Sequence, residues 1–463
     1  MSDKQPWATF TSSLYLHGKG PQALGTVSFE EIEQKAKEAL KDYPGNCNLQ
    51  ARDSIVTHDY ACRSIYVRRR QRRNRLDLCR QSTRFREVPH RTPYVGRCHD
   101  AYSRGVSRVD SPSAHLSQGP QTTIFGVTHP SPIIIAPIGV QGTFIADGEL
   151  ASARAAAKLK IPFVMSTAST RPIETVAAAN GDGHRWYQLY WPATKEVTLS
   201  LLSRAKAGGF TALVVTLDTM TLGWRPHDLE TAYIPFVYGV GNQVGTSDPV
   251  FMRRFGREPV TGPPPKFPFD QNAMRERLEA QDAEAMDQVF LGTEWLKECN
   301  SGLFRSWEDL RFLRENWEGP LIIKGIQRVE DAEKSLEYGV NGIVVSNHGG
   351  RQVDGALPSL YALERIMKSQ KVKEAQTSGA LTVLFDSGIR TGSDIIKALA
   401  LGAQAVLLGR PWLYGGIVAG QAGIEQVILH TLADLDATLG LSGYASLADI
   451  QGKGEEIVEK IDF

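Results

Sequence analysis

The apolar run Ile343-Val344-Val345 stops abruptly in Ser346-Asn347-His348-Gly349-Gly350-Arg351. If that run is a buried parallel strand, its carboxyl end presents an imidazole and a guanidinium side by side, over glycines that crowd nothing. Such a pairing suits a general base next to a clamp for a carboxylate. A strand followed by a polar turn with a surface histidine is the plainer reading, and for a lone histidine the better one. The two are separated by whether other strands in the chain end in the same way.

They do. From residue 130 onward, short apolar runs alternate with helical patterns. The runs are Ile133–Ala136, Phe163–Met165, Trp186–Tyr190, Ala212–Thr216, Leu321–Ile323, Ile343–Val345, Val383–Phe385 and Ala405–Leu408. Continuous Ile/Val-rich runs of this length read as strands covered on both faces, hence a parallel sheet with helices between them. Helical patterns include Asp147–Lys160, the stretch Thr194–Ala207 with a cap-like threonine, and a run opened by Ser393-Asp394 and ending at Leu401. Eight strand–helix units predict a (β/α)8 TIM barrel, in the α/β class, whose active face lies where the strands end. The closing residues are chemically loaded: Thr167, Gln188, Tyr190, Thr216, Asp218, Lys324, Ser346, His348, Asp386, Arg390 and Arg410. A doubly wound open sheet ranks lower, because no GxGxxG follows the first strand.

The last two strands lead into Asp386-Ser387-Gly388-Ile389-Arg390 and Gly409-Arg410. Glycines admit oxyanions to backbone N–H groups and arginine binds them with a fork of donors, so a phosphorylated ligand is expected at this end. Lys324 reads either as a surface lysine reaching past the rim or as a cation that stabilises charge developing on a bound ring. Asp218 could orient His348 and stabilise its protonated form.

Composition sets the outer limits. At 463 residues with a formal charge of +1, the chain can bury a large core and carries no global field favouring nucleic acid or membrane. No apolar segment is long enough to cross a bilayer, and the cytoplasm is the expected location. Five cysteines without CxxC spacing argue against a disulfide framework and against a zinc site, so no metal is expected.

The motifs together resemble the FMN-dependent α-hydroxy-acid oxidases and dehydrogenases. Ser346-Asn347-His348-Gly349-Gly350-Arg351-Gln352 carries most of the resemblance. Lys324-Gly325, Asp386-Ser387-Gly388-Ile389-Arg390, Gly409-Arg410-Pro411, Ala136-Pro137-Ile138-Gly139, Gln188-Leu189-Tyr190 and Thr216-Leu217-Asp218-Thr219 support it. Within the family, Gly223-Trp224-Arg225-Pro226 and Ser247-Asp248-Pro249-Val250-Phe251 look most like the lactate 2-monooxygenases. The likeness covers roughly residues 122–450, plus a short piece around Phe29–Asp42. It implies FMN as cofactor, a small 2-hydroxy acid as substrate, O2 as acceptor and a homo-oligomer, tetramer or octamer. By the same resemblance His348 is the base, Asp218 its support, and Tyr190 a partner of the substrate oxygen. Arg351 and Arg225 hold the carboxylate, and Lys324 stabilises the reduced flavin. The cofactor-binding set implied is Pro137, Ile138, Gly139, Thr167, Gln188, Thr216, Lys324, Ser346, Asp386, Gly388, Arg390, Gly409 and Arg410.

Two regions break the pattern. Residues 232–306 form a connection too long for an ordinary barrel loop, with a helical run from Gln271 to Val289, and read as a lid or as a surface excursion. Residues 1–121 form a separate amino-terminal segment in which 45–121 is atypical. From Arg52 to Arg108 it holds fifteen arginines, no lysine occurs between Lys41 and Lys158, and Cys47, Cys62, Cys79 and Cys98 cluster there. A replaced or out-of-register segment, such as an error in reading the gene, is the leading explanation. A disordered insert comes next, and a nucleic-acid arm ranks last because aromatic residues are sparse. The family's substrate-binding tyrosine belongs in this stretch, and Tyr43, which precedes Pro44, is a poor replacement. The alternative function is therefore a non-catalytic flavin-binding barrel. An unrelated enzyme of phosphorylated ligands is a third reading.

Overall fold

The computed structural model describes residues 21–40 and 120–460 apart from 231, together with Phe10, Leu14 and the short strand Thr83–Phe85. Tyr43 and, save that strand and the last two residues, the segment 45–121 lie outside the described residues.

All eight predicted runs are strands, and they close into one parallel barrel. They are β1 Ile133–Ile135, β2 Phe163–Ser166, β3 Arg185–Leu189, β4 Ala212–Thr216, β5 Leu321–Ile326, β6 Gly342–Val345, β7 Thr382–Phe385 and β8 Ala405–Leu408. Successive side chains point to opposite faces, which divides the core in two. Ile134, Val164, Trp186, Val214, Ile322, Val344, Leu384 and Leu407 fill the barrel interior. Their neighbours Ile133, Ile135, Phe163, Met165, Val215 and Ile323 face outward to the helices. Each fully buried side chain of this size contributes about 1.5–3 kcal/mol, so a barrel covered on both faces needs no polar alternation in its strands. A hairpin, Thr122–Ile124 with Val127–His129, closes the amino-terminal end, where Phe125 stacks 5.7 Å from Trp186.

The outer layer comprises α1 Glu149–Leu159, α2 Ile173–Asn180, α3 Lys195–Ala207, α4 Asp309–Asn316, α5 Val329–Ser335, α6 Ser359–Ile366, α7 Gly392–Ala400 and α8 Arg410–Leu441. The helix Phe29–Ala39 buries Ile32 and Ala36, and Phe29 packs on Tyr414 of α8 with ring centroids 5.7 Å apart. Three local expectations change. Thr391, not Ser393, caps α7, in a reciprocal capping box with Asp394. Thr194 precedes α3 without capping it, since its hydroxyl donates instead to Glu298 Oε1 at 2.6 Å. The run from Gln271 to Val289 is two helices, Gln271–Glu279 and Ala283–Cys299, broken where Gln281 turns left-handed (φ 58°) and Asp282 caps the second.

Candidate active site

The polar residues that end the strands form one hydrogen-bonded floor at the carboxyl mouth. Gln188 Oε1 accepts from Ser166 Oγ (3.0 Å) and the Thr167 amide (3.2 Å), while its Nε2 donates to Thr216 Oγ1 (2.9 Å). Lys324 Nζ donates to Ser346 Oγ at 3.1 Å and lies 3.4 Å from Asp386 Oδ2. Burial opposes the charge on Lys324, but the carboxylates of Asp386 and Asp218 outweigh it and hold the ammonium above its usual range. The lysine is 5% exposed, so this is a buried cation in a barrel mouth and not a side chain reaching to solvent. Gly325 is required beside it. Its φ is +104°, and a Cβ there would sit 2.9 Å from Asp218 Cβ and Cγ.

His348 stands above this floor in a left-handed conformation (φ 57°), followed by Gly349 (67°) and Gly350 (75°), so the chain reverses tightly and turns the imidazole into the mouth. Its Nδ1 meets Asp218 Oδ1 at 2.8 Å and Thr219 Oγ1 at 3.2 Å; Thr219 also donates to Asp218 Oδ1 at 3.0 Å. With Nδ1 engaged, Nε2 is the nitrogen left to take a proton. Burial lowers the pKa of His348, Asp218 opposes, and Lys324 and Arg351 reinforce burial, leaving it below the ordinary imidazole value. For Asp218 burial acts upward, but His348 and Lys324 prevail and hold the carboxyl well below the usual carboxylate range. A neutral base beside a fixed carboxylate results.

Two guanidiniums lie close enough nearby to repel each other. Burial first, then the neighbouring Arg225, pushes Arg351 down to about 10. Arg225 is only 9% exposed; its Nε donates to the Arg351 carbonyl at 3.2 Å, and Asp228 lies 3.7 Å from its Nη1. Adjacent buried cations of this kind favour an anion between them. Tyr190 completes the group; burial raises its phenol, which keeps it a hydrogen-bond donor.

At the far end, α8 begins at Arg410 with no side chain capping its amino end. Gly388 (φ 101°) has open space around it. Arg410 Nη2 donates to the Gly349 carbonyl at 3.0 Å, and Ser387 Oγ accepts from the Gly349 amide at 2.9 Å. The loops after β7 and β8 are thus bonded directly to the histidine turn. One cavity of about 270 Å³ opens at this mouth. Its lining includes Pro137, Ile138, Gly139, Thr167, Tyr190, Arg225, Lys324, His348, Arg351, Asp386, Gly388, Arg390, Gly409 and Arg410. Gln188, Thr216 and Ser346 are not among the lining residues and belong to the floor, and Asp218, also outside the lining, reaches the cavity through His348. An uncapped helix end with two arginines fits a phosphate, and a buried ammonium lining the same cavity fits an electron-accepting ring, so the residues present suit a flavin mononucleotide.

The connection 232–306 contributes Tyr233, Phe236, Leu296, Cys299 and Asn300 to the cavity lining. Its last helix is pinned at the mouth. Glu298 accepts from the Thr194 amide at 2.9 Å and pairs with Arg254, and Asn300 Oδ1 accepts from the Leu222 amide at 3.2 Å. The sequence alone assigns no role to Thr219 or Gln352, although both lie inside the motifs Thr216–Thr219 and Ser346–Gln352. The one signal for each is a polar side chain directly after Asp218 or Arg351.

The FMN-dependent dehydrogenase family matches residues 111–457. An FMN-dependent α-hydroxy acid dehydrogenase of Penicillium citrinum is 46% identical over 333 residues, covering 72% of this chain and 75% of that protein. An L-lactate oxidase of Lysinibacillus sphaericus is 37% identical over 328 residues, covering 71% and 76%. A crystal structure of mandelate oxidase superposes with a TM-score of 0.62 at 26% identity, covering 94% of this chain and 99% of that one.

Proposed function

The chain belongs to the FMN-dependent dehydrogenase family, whose members bind FMN and oxidise α-hydroxy acids, and from that premise we propose that it oxidises a small L-2-hydroxy acid of the lactate type with O2 as electron acceptor. The product is the 2-oxo acid or its decarboxylated form. The observation that carries the reading is the opening of His348, Arg225, Arg351, Lys324, Arg390 and Arg410 on one cavity.

In this reading Arg390, Arg410, Gly388 and Gly409 hold the FMN phosphate, and Asp386 the ribityl hydroxyls. Pro137, Ile138, Gly139, Thr167, Gln188, Thr216 and Ser346 surround the ring and chain. When bound, FMN accepts the two electrons that leave the substrate carbon. The residues do the rest. Arg225 and Arg351 bind the carboxylate, for which paired guanidiniums are well matched. Tyr190 bonds the substrate oxygen. His348 takes a proton at Nε2, and the Asp218 carboxylate, 2.8 Å from Nδ1, stabilises the imidazolium that forms. Lys324 offsets the negative charge that arrives on the ring. The connection 232–306 acts as a lid that keeps water and product in check.

The test is a flavin absorbance spectrum taken anaerobically before and after addition of L-lactate and a panel of 2-hydroxy acids. Bleaching is expected. Bound FMN that no acid bleaches would reject oxidation in favour of a flavin-binding barrel without turnover.

A further inference from the structure

Gln352 follows Arg351 directly, and every hydrogen-bonding position of its side chain is engaged with the facing loop. Nε2 donates to the carbonyls of Asp218 (2.8 Å) and Thr221 (3.0 Å). Oε1 accepts from Arg225 Nη2 (2.7 Å) and from the Gly223 amide (3.2 Å). A primary amide has two N–H donors and one oxygen with two lone pairs, so nothing is left over. Both acceptors lie at its nitrogen and both donors at its oxygen; turned the other way, the amide would set like against like at all four positions. The two loops also touch through their backbones, since a Cβ on Gly223 would lie 2.5 Å from the Gln352 carbonyl.

These bonds join two halves of the site that come from distant parts of the chain. The loop after β4 carries Asp218 and Arg225; the loop after β6 carries His348 and Arg351. Two guanidiniums repel each other, and without an anion between them only the surrounding bonds hold their spacing. For Arg225 those bonds, among the described residues, are the Arg351 carbonyl (3.2 Å), Gln352 Oε1 and the more distant Asp228 (3.7 Å). Gln352 supplies the shortest of them.

We propose that Gln352 is a positioning residue for the substrate carboxylate, holding Arg225 at the distance from Arg351 that a 2-hydroxy acid bridges. The proposal rests on reading the cavity as a 2-hydroxy-acid site. It separates binding from chemistry, because the amide meets the backbone of Asp218 and not the carboxylate that supports His348.

The FMN-loaded protein and its Q352M and Q352E variants are compared. Methionine keeps the length without polar atoms. Glutamate keeps the acceptor for Arg225 but turns a carboxylate oxygen toward two carbonyls. Oxalate, which has no hydrogen to give up, is titrated through the change in flavin absorbance, and KM and the maximal rate of anaerobic flavin reduction are measured with a 2-hydroxy acid. In both variants Kd for oxalate and KM are expected to rise about tenfold or more, with the maximal reduction rate within about threefold and FMN content unchanged. Unchanged Kd and KM, or a loss confined to the maximal rate, would overturn the proposal. So would failure of both variants to give folded, FMN-loaded protein, which would assign Gln352 to the fold alone. An unaltered protein that binds oxalate but is not bleached loses the oxidation reading and leaves this one standing.

Discussion

Replacing Asp218 with asparagine removes a charge and little else. Asparagine keeps an oxygen to meet His348 Nδ1, and the backbone carbonyl that Gln352 Nε2 holds at 2.8 Å is untouched. What disappears is the attraction between the carboxylate and the imidazolium formed when His348 takes a proton. With Nδ1 and Oδ1 2.8 Å apart, the charges are centred roughly 4 Å from each other and attract by about 4 kcal/mol at an effective dielectric of 20. If half of that attraction is felt at the transition state the rate of flavin reduction falls about 30-fold, and if all of it is felt the rate falls about 1,000-fold. The pH profile gives a second reading with its own sign. The reaction needs neutral His348, so the rate climbs as pH rises through the pKa of that residue, which burial holds below the ordinary value and which Asp218 raises against Lys324 and Arg351. Removing Asp218 therefore moves the acid limb to still lower pH while the plateau drops. Anaerobic stopped-flow reduction of the flavin across pH measures both. A plateau within about threefold of the unaltered protein, or a limb displaced upward, would refute the assignment of Asp218 as the support of the base.

Two further outcomes follow from buried titratable groups. Lys324→Met leaves Asp386 buried without its ammonium partner, and breaking such a pair costs about 3–5 kcal/mol; unfolding of the FMN-free protein in urea is expected to show the loss, with K324M/D386N recovering part of it. His129, 3% exposed and lowered by burial and by His184 to about 4, binds its proton less readily in the folded chain than in the unfolded one. Stability is therefore complete above the unfolded value near 6.5 and declines as pH falls toward about 4, by at most about 3 kcal/mol for this group, and H129F is expected to flatten that part of the urea-measured profile.

The parts of this molecule that could be read in advance are those set by short-range physics. A strand covered on both faces is apolar over most of its length, with polar residues gathered toward its ends, so all eight barrel strands announced themselves as apolar runs of a few residues. A barrel places strand ends at one mouth, so the same count puts His348, Lys324, Arg390 and Arg410 on a common face, with Asp218 bonded to His348 beside them. Contacts that depend on closure were not legible. Thr194 looks like a cap from its neighbours, yet Glu298, 104 residues on, takes its hydroxyl. The helical pattern over Gln271–Val289 hides a break, because a left-handed glutamine at 281 leaves no compositional mark where glycine or proline would have. Gln352 is the sharpest case. Nothing local distinguishes it from any polar residue after an arginine, and its meaning lies in four atoms of a loop about 130 residues away. Motif residues that touch a ligand are constrained by chemistry and can be named from type and spacing. Those that hold the ligand-binding groups apart are constrained only by the distance between two loops, and that distance exists once the barrel has closed.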